Sequence, residues 1–225
     1  MGESRAKAGE LPESGSVLAV CAHPDDESFG LGAVLGAFAD AGVRTSVLCL
    51  THGEASTLGA DAGALHQVRE AELGRAAETL GVGSVRLLGL ADGRVSEEPL
   101  TDVVGIVQDA IDDVDADLLL VFDEGGITGH PDHVRATDAA LAAAVPGNVP
   151  VLAWTLHADV AARLGHEFGE AFVGRSDREI HLSIEVDRSR QHRAIRCHAS
   201  QSGDNPVLWR RLELQGDRED LRWLG

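Results

Sequence analysis

The chain has 225 residues, 44% hydrophobic and 25% charged, enough for one large domain with a sizeable core. Its formal charge of -18, from 37 acidic against 19 basic residues, argues against a nucleic-acid groove or an anionic membrane surface as partner. A neutral or cationic small molecule, or an anion held by a few local arginines, fits that charge.

Residues 1–15 are polar with no apolar stretch, so they read as a disordered leader and not as a signal peptide. Ser16 to Ala22 is a nearly continuous apolar run, the pattern of a strand buried on both faces. Leu31 to Ala41 carries apolar residues at helical spacing and is closed by Gly42. Thr45 to Leu50 reads as a second buried strand, and residues 51–65 as a polar loop long enough to cover a site. Gln67 to Leu80 is a helix ended by Gly81.

The alternation repeats, with strands over Val85–Leu88, Asp117–Phe122 and Val151–Leu156 and helices over Leu100–Ile111 and Pro131–Ala144. Residues 165–174 read as irregular, Glu179–Val186 as a half-exposed strand, and Arg188–Cys197 as a basic helix before a polar tail. Strands and helices joined by short connections predict a Rossmann-like, three-layer α/β/α domain with a mostly parallel sheet, spanning 16–225. No run reaches the roughly 18 apolar residues of a membrane span. Cys21, Cys49 and Cys197 form no C-x-x-C pair, which suits a reducing cytoplasm.

Two strands end abruptly in ionisable clusters. The first gives Ala22-His23-Pro24-Asp25-Asp26-Glu27, and the fourth is followed by Gly129-His130-Pro131-Asp132-His133. Ligand crevices of doubly wound sheets lie at the carboxyl ends of strands, so both clusters are expected in one crevice, around one metal ion. Helix capping explains an Asp after a strand, but it explains neither His23 nor the second cluster. A catalytic zinc takes three N or O ligands and keeps one open position. Two histidines and a carboxylate supply those, leaving a histidine and a carboxylate to move protons.

These two motifs resemble the A-H-P-D-D-E and H-x-D-H signatures of the PIG-L/LmbE-like zinc-dependent de-N-acetylases. Weaker matches follow in the family's order: Thr51-His52-Gly53-Glu54, the helix from Arg69 to Leu73, and His198-Ala199-Ser200-Gln201. The resemblance implies His23, Asp26 and His133 as metal ligands and Asp25 as the general base that activates water. It implies His130 as the group that stabilises the oxyanion and can protonate the amine, oriented by Asp132. Arg69, Asp92 and His198 are implied as substrate contacts. Thr128 stands where some sugar–thiol deacetylases carry a tyrosine, and Gln191 where the last helix often carries a lysine.

The implied reaction is hydrolysis of the acetamide of an N-acetylglucosaminyl-type amino sugar, with zinc or ferrous iron as cofactor. The alternatives are an amidase that removes a larger acyl group from a sugar–thiol conjugate, and a metal-binding pathway partner without turnover. The resemblance also implies a homo-oligomer, a trimer or hexamer.

Overall fold

The alternating apolar runs assemble into one sheet with helices on both faces. In the computed structural model, which describes residues 9–58 and 65–225, the chain runs β1 (Ser16–Cys21), α1 (Asp26–Phe29), α2 (Gly32–Asp40), β2 (Arg44–Thr51), α3 (Leu65–Leu80) and β3 (Ser84–Leu90). It continues through α4 (Leu100–Val114), β4 (Leu118–Phe122), α5 (Gly126–Gly129), α6 (Pro131–Ala144), β5 (Val151–His157) and α7 (Ala158–Phe168). The last part holds β6 (Gly174–Arg175), β7 (Leu182–Glu185), α8 (Ser189–Cys197), α9 (Ala199–Ser202), α10 (Pro206–Gln215) and β8 (Arg218–Leu224).

The sheet order is β3-β2-β1-β4-β5-β8-β7, and β6 pairs with the end of β5. Strands β1 to β5 pair in parallel, while β8 runs antiparallel to β5 and β7. The period of two along β1 divides the core. Val17, Ala19 and Cys21 join one cluster with α2, α3, α7 and α8, whereas Leu18 and Val20 join another with α4 and α6. A strand packed by helices on both faces has no polar side, hence the unbroken apolar run of β1. Ala136, Ala139, Ala140 and Ala143 on α6 are all buried, so the helix that begins at the second motif is held against the sheet by small side chains. Successive connections leave β1 towards β2 and β3 and then return to β4 and β5, so the topological switch point falls between β1 and β4.

Three expectations change. Residues 9–15 are tied down: the Gly9 N–H donates to Ser183 O at 3.1 Å, the Gly15 N–H donates to Asp117 Oδ2 at 2.9 Å, and Leu11 packs on the core. Residues 1–8 and 59–64, parts of the expected leader and loop, lie outside the described residues. The stretch read as irregular begins inside α7, with Gly165 within the helix.

The expected polar tail forms α10 and β8. Its charged strand sequence conceals a buried position, because Glu219 is fully enclosed. Glu219 accepts from Trp154 Nε1 (2.6 Å) and Gln215 Nε2 (3.0 Å) and pairs with Arg188. Removing one partner of a buried ion pair strands the other charge. Glu219→Ala is therefore expected to cost about 3–5 kcal/mol in urea unfolding, and a loss under about 1 kcal/mol would contradict this. Among the described residues no helix is long and apolar enough to cross a membrane.

Candidate metal centre and catalytic cavity

β1 and β4 are neighbours, so their carboxyl ends deliver the two ionisable clusters to one place although they lie 110 positions apart. β1 leads through Ala22–Asp25 into α1, and β4 leads through a glycine-rich turn into α6. His130 caps α6 and Pro131 opens it, which puts His133 one turn in, on the face towards His23.

Each metal-side group has its outer atoms already committed. His133 Nδ1 lies 3.2 Å from Gly126 O and can only donate to it, leaving Nε2 with a free lone pair. His23 Nε2 sits between Asp92 Oδ1 (3.1 Å) and Asp132 Oδ2 (3.3 Å), which fixes its proton there and leaves Nδ1 as an acceptor. Asp26 Oδ2 accepts the backbone N–H groups of Ala22 (3.1 Å) and His23 (2.9 Å), and Oδ1 faces His133 Nε2 at 3.1 Å.

The atoms left over converge. His23 Nδ1 and His133 Nε2 face each other at 3.1 Å, and with their outer nitrogens committed the two inner lone pairs repel unless a proton or a metal cation lies between them. Gly126, at φ 61, permits this packing, because a Cβ there would lie 2.9 Å from the Cβ of His133.

The surrounding field favours positive charge. Burial disfavours an imidazolium at His23, but the Asp132 and Asp92 hydrogen bonds and the charge of Asp26 outweigh it and raise the pKa to about 10. His133 is also raised: burial opposes this, and Asp26 prevails. A site that draws a proton so strongly is equally disposed to hold a divalent ion.

His130 completes the group of three imidazoles, its ring 4.9 Å from that of His23 and 5.0 Å from that of His133. Its Nδ1 accepts the Asp132 backbone N–H at 3.3 Å, so its remaining N–H is Nε2. Burial, His23 and His133 all lower its pKa, which favours the neutral ring. The expectation that the Asp132 carboxylate orients His130 is corrected. That carboxylate accepts from Gly93 N (2.7 Å) and Val95 N (3.0 Å) and reaches His23 instead, because the start of α6 turns it inward beneath the crevice.

Asp25 stands beside the centre in a backbone conformation, φ 132, that non-glycine residues rarely adopt. Two groups, Glu27 and Arg69, hold it there. Its N–H donates to Glu27 Oε2 at 2.9 Å, its Oδ2 pairs with Arg69 Nη2 at 2.9 Å, and Arg69 also donates to Pro24 O and Gly53 O. Gly53, at φ 65, leaves room for that guanidinium, since a Cβ would come within 2.0 Å of Arg69 Nη1. Burial pushes the Asp25 carboxyl up to about 6 against the pull of Arg69.

Glu27 is fully buried, and its Oε1 accepts from Ser28 Oγ (2.6 Å) and His198 Nε2 (2.7 Å). His198, expected at the substrate, is thus corrected: it is enclosed behind the loop and acts on Asp25 through Glu27. Glu27→Gln replaces an accepting carboxylate oxygen by a donor and should lower kcat about tenfold or more while leaving KM within about twofold, read from steady-state kinetics. An equal rise in KM alone would contradict this.

The cavity in front of these groups measures about 550 Å³. His23, Asp25, Asp26, His130 and His133 form its polar end, with Arg69 and Asp92 beside them. Asp92 is held by Ala55 N (2.8 Å) and offers its own N–H to Glu54 (3.0 Å), so it serves both His23 and the cavity. Thr128 lines the wall.

Sequence reading missed the opposite wall, where Phe29, Phe122, Trp154, Phe172, Leu208 and Arg211 gather from five separate segments. It also missed Gln201, which accepts from Ser56 Oγ (2.7 Å) and donates to Leu58 O (3.2 Å), fastening the described part of the loop at the cavity rim. Only the pairing of Gln201 with His198 in one motif hinted at this. Gln191, where a lysine is common in the resemblance, donates to Ser28 O and Phe29 O at 3.1 Å each and steadies the end of α1.

Residues 18–144 match the family model described as PIG-L, GlcNAc-PI de-N-acetylase. A probable N-acetyl-alpha-D-glucosaminyl L-malate deacetylase 2 of Bacillus anthracis is 30% identical over 215 residues, covering 92% of this chain and 91% of that protein. Among solved structures, N,N'-diacetylchitobiose deacetylase from Pyrococcus horikoshii superposes with a TM-score of 0.68 at 21% identity, covering 94% of this chain and 84% of that one. The 4-carboxy-2-hydroxymuconate hydratase GalB from Pseudomonas putida KT2440 does so with a TM-score of 0.73 at 19% identity, covering 93% and 96%. At such identities the structural likenesses speak for the fold.

Proposed function

The chain belongs to the PIG-L de-N-acetylase family, and from that premise we propose that it is a metal-dependent hydrolase removing the N-acetyl group from an N-acetylglucosaminyl-type amino sugar. The observation that carries this reading is the convergence of His23 Nδ1, His133 Nε2 and Asp26 Oδ1 next to a carboxylate, Asp25, held by none of them. His23, Asp26 and His133 would hold the ion. A divalent cation there, zinc or ferrous iron, would polarise the acetamide carbonyl and lower the pKa of a water.

The chain's own residues supply the remaining steps. Asp25 takes a proton from the attacking water, its carboxylate fixed by Arg69 and its strained backbone by Glu27. His130 offers Nε2–H to the carbonyl oxygen as charge develops on it. The proton now on Asp25 is the one the departing amine nitrogen needs, so acetate and a free amino sugar leave with protons balanced. Asp132 and Asp92 keep His23 in the tautomer that presents Nδ1.

The test is proton NMR of the zinc-loaded protein with methyl N-acetylglucosaminide and a panel of larger N-acetylglucosaminides. Equal amounts of acetate and free amine are expected. Absence of acetate across the panel would overturn the reading, and preferential release of longer acyl groups would favour the larger-acyl amidase.

A further inference from the structure

A second charge in the cavity has no part in the chemistry at the metal centre. Arg211, on α10, lines the apolar wall and is only 6% exposed. Its guanidinium carbon lies 5.0 Å from the centre of the Trp154 ring. Nη1 donates to Gln215 Oε1 at 2.6 Å and Nη2 donates to Phe29 O. None of these partners is charged.

The other two buried arginines each meet a carboxylate, Arg69 at Asp25 and Arg188 at Glu219. In a chain with 37 acidic and 19 basic residues, Arg211 meets none among the described residues. Glu219, whose charge it feels, is already committed to Arg188, Trp154 and Gln215. A guanidinium stays charged and has five N–H donors, of which two are used here by neutral oxygens. A buried cation without a counter-charge is costly, and it is compensated when a ligand brings the anion.

Its place in the cavity says which part of a ligand it would meet. His133 touches Phe122 (ring centres 4.9 Å apart), Phe122 touches Trp154 (5.4 Å), and Trp154 lies under Arg211. Arg211 therefore meets the cavity beyond two aromatic rings from His133, and it would face a part of the ligand away from the acetamide. Gln215 and Phe29 O fix the plane of the fork, so its free donors are oriented before a ligand arrives.

We propose that Arg211, stacked on Trp154, is an anion-binding subsite, and that the substrate is an amino-sugar conjugate whose aglycone carries an anionic oxygen group, a carboxylate or a phosphate. The proposal rests on the amino-sugar reading above for the identity of the rest of the ligand.

The test uses the metal-loaded full chain and a matched pair of deacetylated ligands that cannot turn over: the glucosamine O-glycoside of a hydroxy acid, and the same compound as its carboxamide. Calorimetric titration should show the carboxylate bound at least about tenfold more tightly, and a phosphate ester in its place should keep the advantage. Arg211→Gln should reduce the preference to within about twofold, weakening the carboxylate far more than the carboxamide; Arg211→Lys, which keeps charge without the fork, should fall between.

Equal affinities in the unmodified protein, a preference that survives Arg211→Gln, or no binding of either ligand would each overturn the subsite. Should Arg211→Gln fail to fold, the preference of the unmodified protein for carboxylate over carboxamide decides alone. Acetate release from methyl N-acetylglucosaminide, which has no anion, reports separately on the deacetylase reading.

Discussion

Asp25→Asn is expected to keep its metal and lose about 10²- to 10⁴-fold in kcat, the range a positioned general base contributes. The substitution is close to isosteric, and Asn tolerates positive φ better than most residues, so the φ 132 backbone and its bond to Glu27 should persist. One amide oxygen can still accept from Arg69, but the group can no longer take a proton from water. Metal content by mass spectrometry and kcat by amine release should therefore part company. Full activity in Asp25→Asn would show that another group is the base, and loss of metal would make Asp25 a ligand.

His133→Ala should separate the two readouts differently, losing metal and activity together. It removes one of the three converging donors and leaves Asp26 Oδ1 and His23 Nδ1 without their shared partner. Metal affinity should fall by more than about 100-fold, beyond what loss of a supporting hydrogen bond costs. The unmodified protein, stripped by a chelator, should regain activity when zinc is restored, and His133→Ala should not. If His133→Ala held one equivalent of zinc, the ion would be bound by other groups, of which His23, Asp92 and Asp132 form the next cluster.

Much of this arrangement is written locally in the chain. Apolar runs at β1, β2 and β4 state burial on both faces, and their alternation with helices states a mostly parallel sheet. The meeting of the two clusters in one crevice is legible because histidines and carboxylates have no other reason to crowd two strand ends, whereas the naming of His23, Asp26 and His133 as ligands comes from the family resemblance. What is not legible depends on distance. That Asp132 serves His23 and not His130 is set by how α6 enters the crevice, 109 positions from its partner. That His198 lies behind Glu27 is set by the packing of α8 and α9 on α1, 171 positions away. β8 escaped because its buried glutamate looks like a surface residue until Arg188, Trp154 and Gln215 are seen around it. Arg211 escaped for the opposite reason: nothing beside it in sequence says that it lacks an acid.

The fold alone would leave the chemistry open, since a hydratase and a deacetylase superpose on this chain about equally well. The division of labour inside the first motif carries the assignment, with His23 and Asp26 turned towards His133 and Asp25 turned towards Arg69.

The most direct measurement of that division is anomalous diffraction from a zinc-soaked crystal. One ion is expected, ligated by His23 Nδ1, His133 Nε2 and Asp26, with the Asp25 carboxylate off the ion and still paired with Arg69. An ion ligated by Asp25, or one seated between Asp92 and Asp132 instead, would contradict the account.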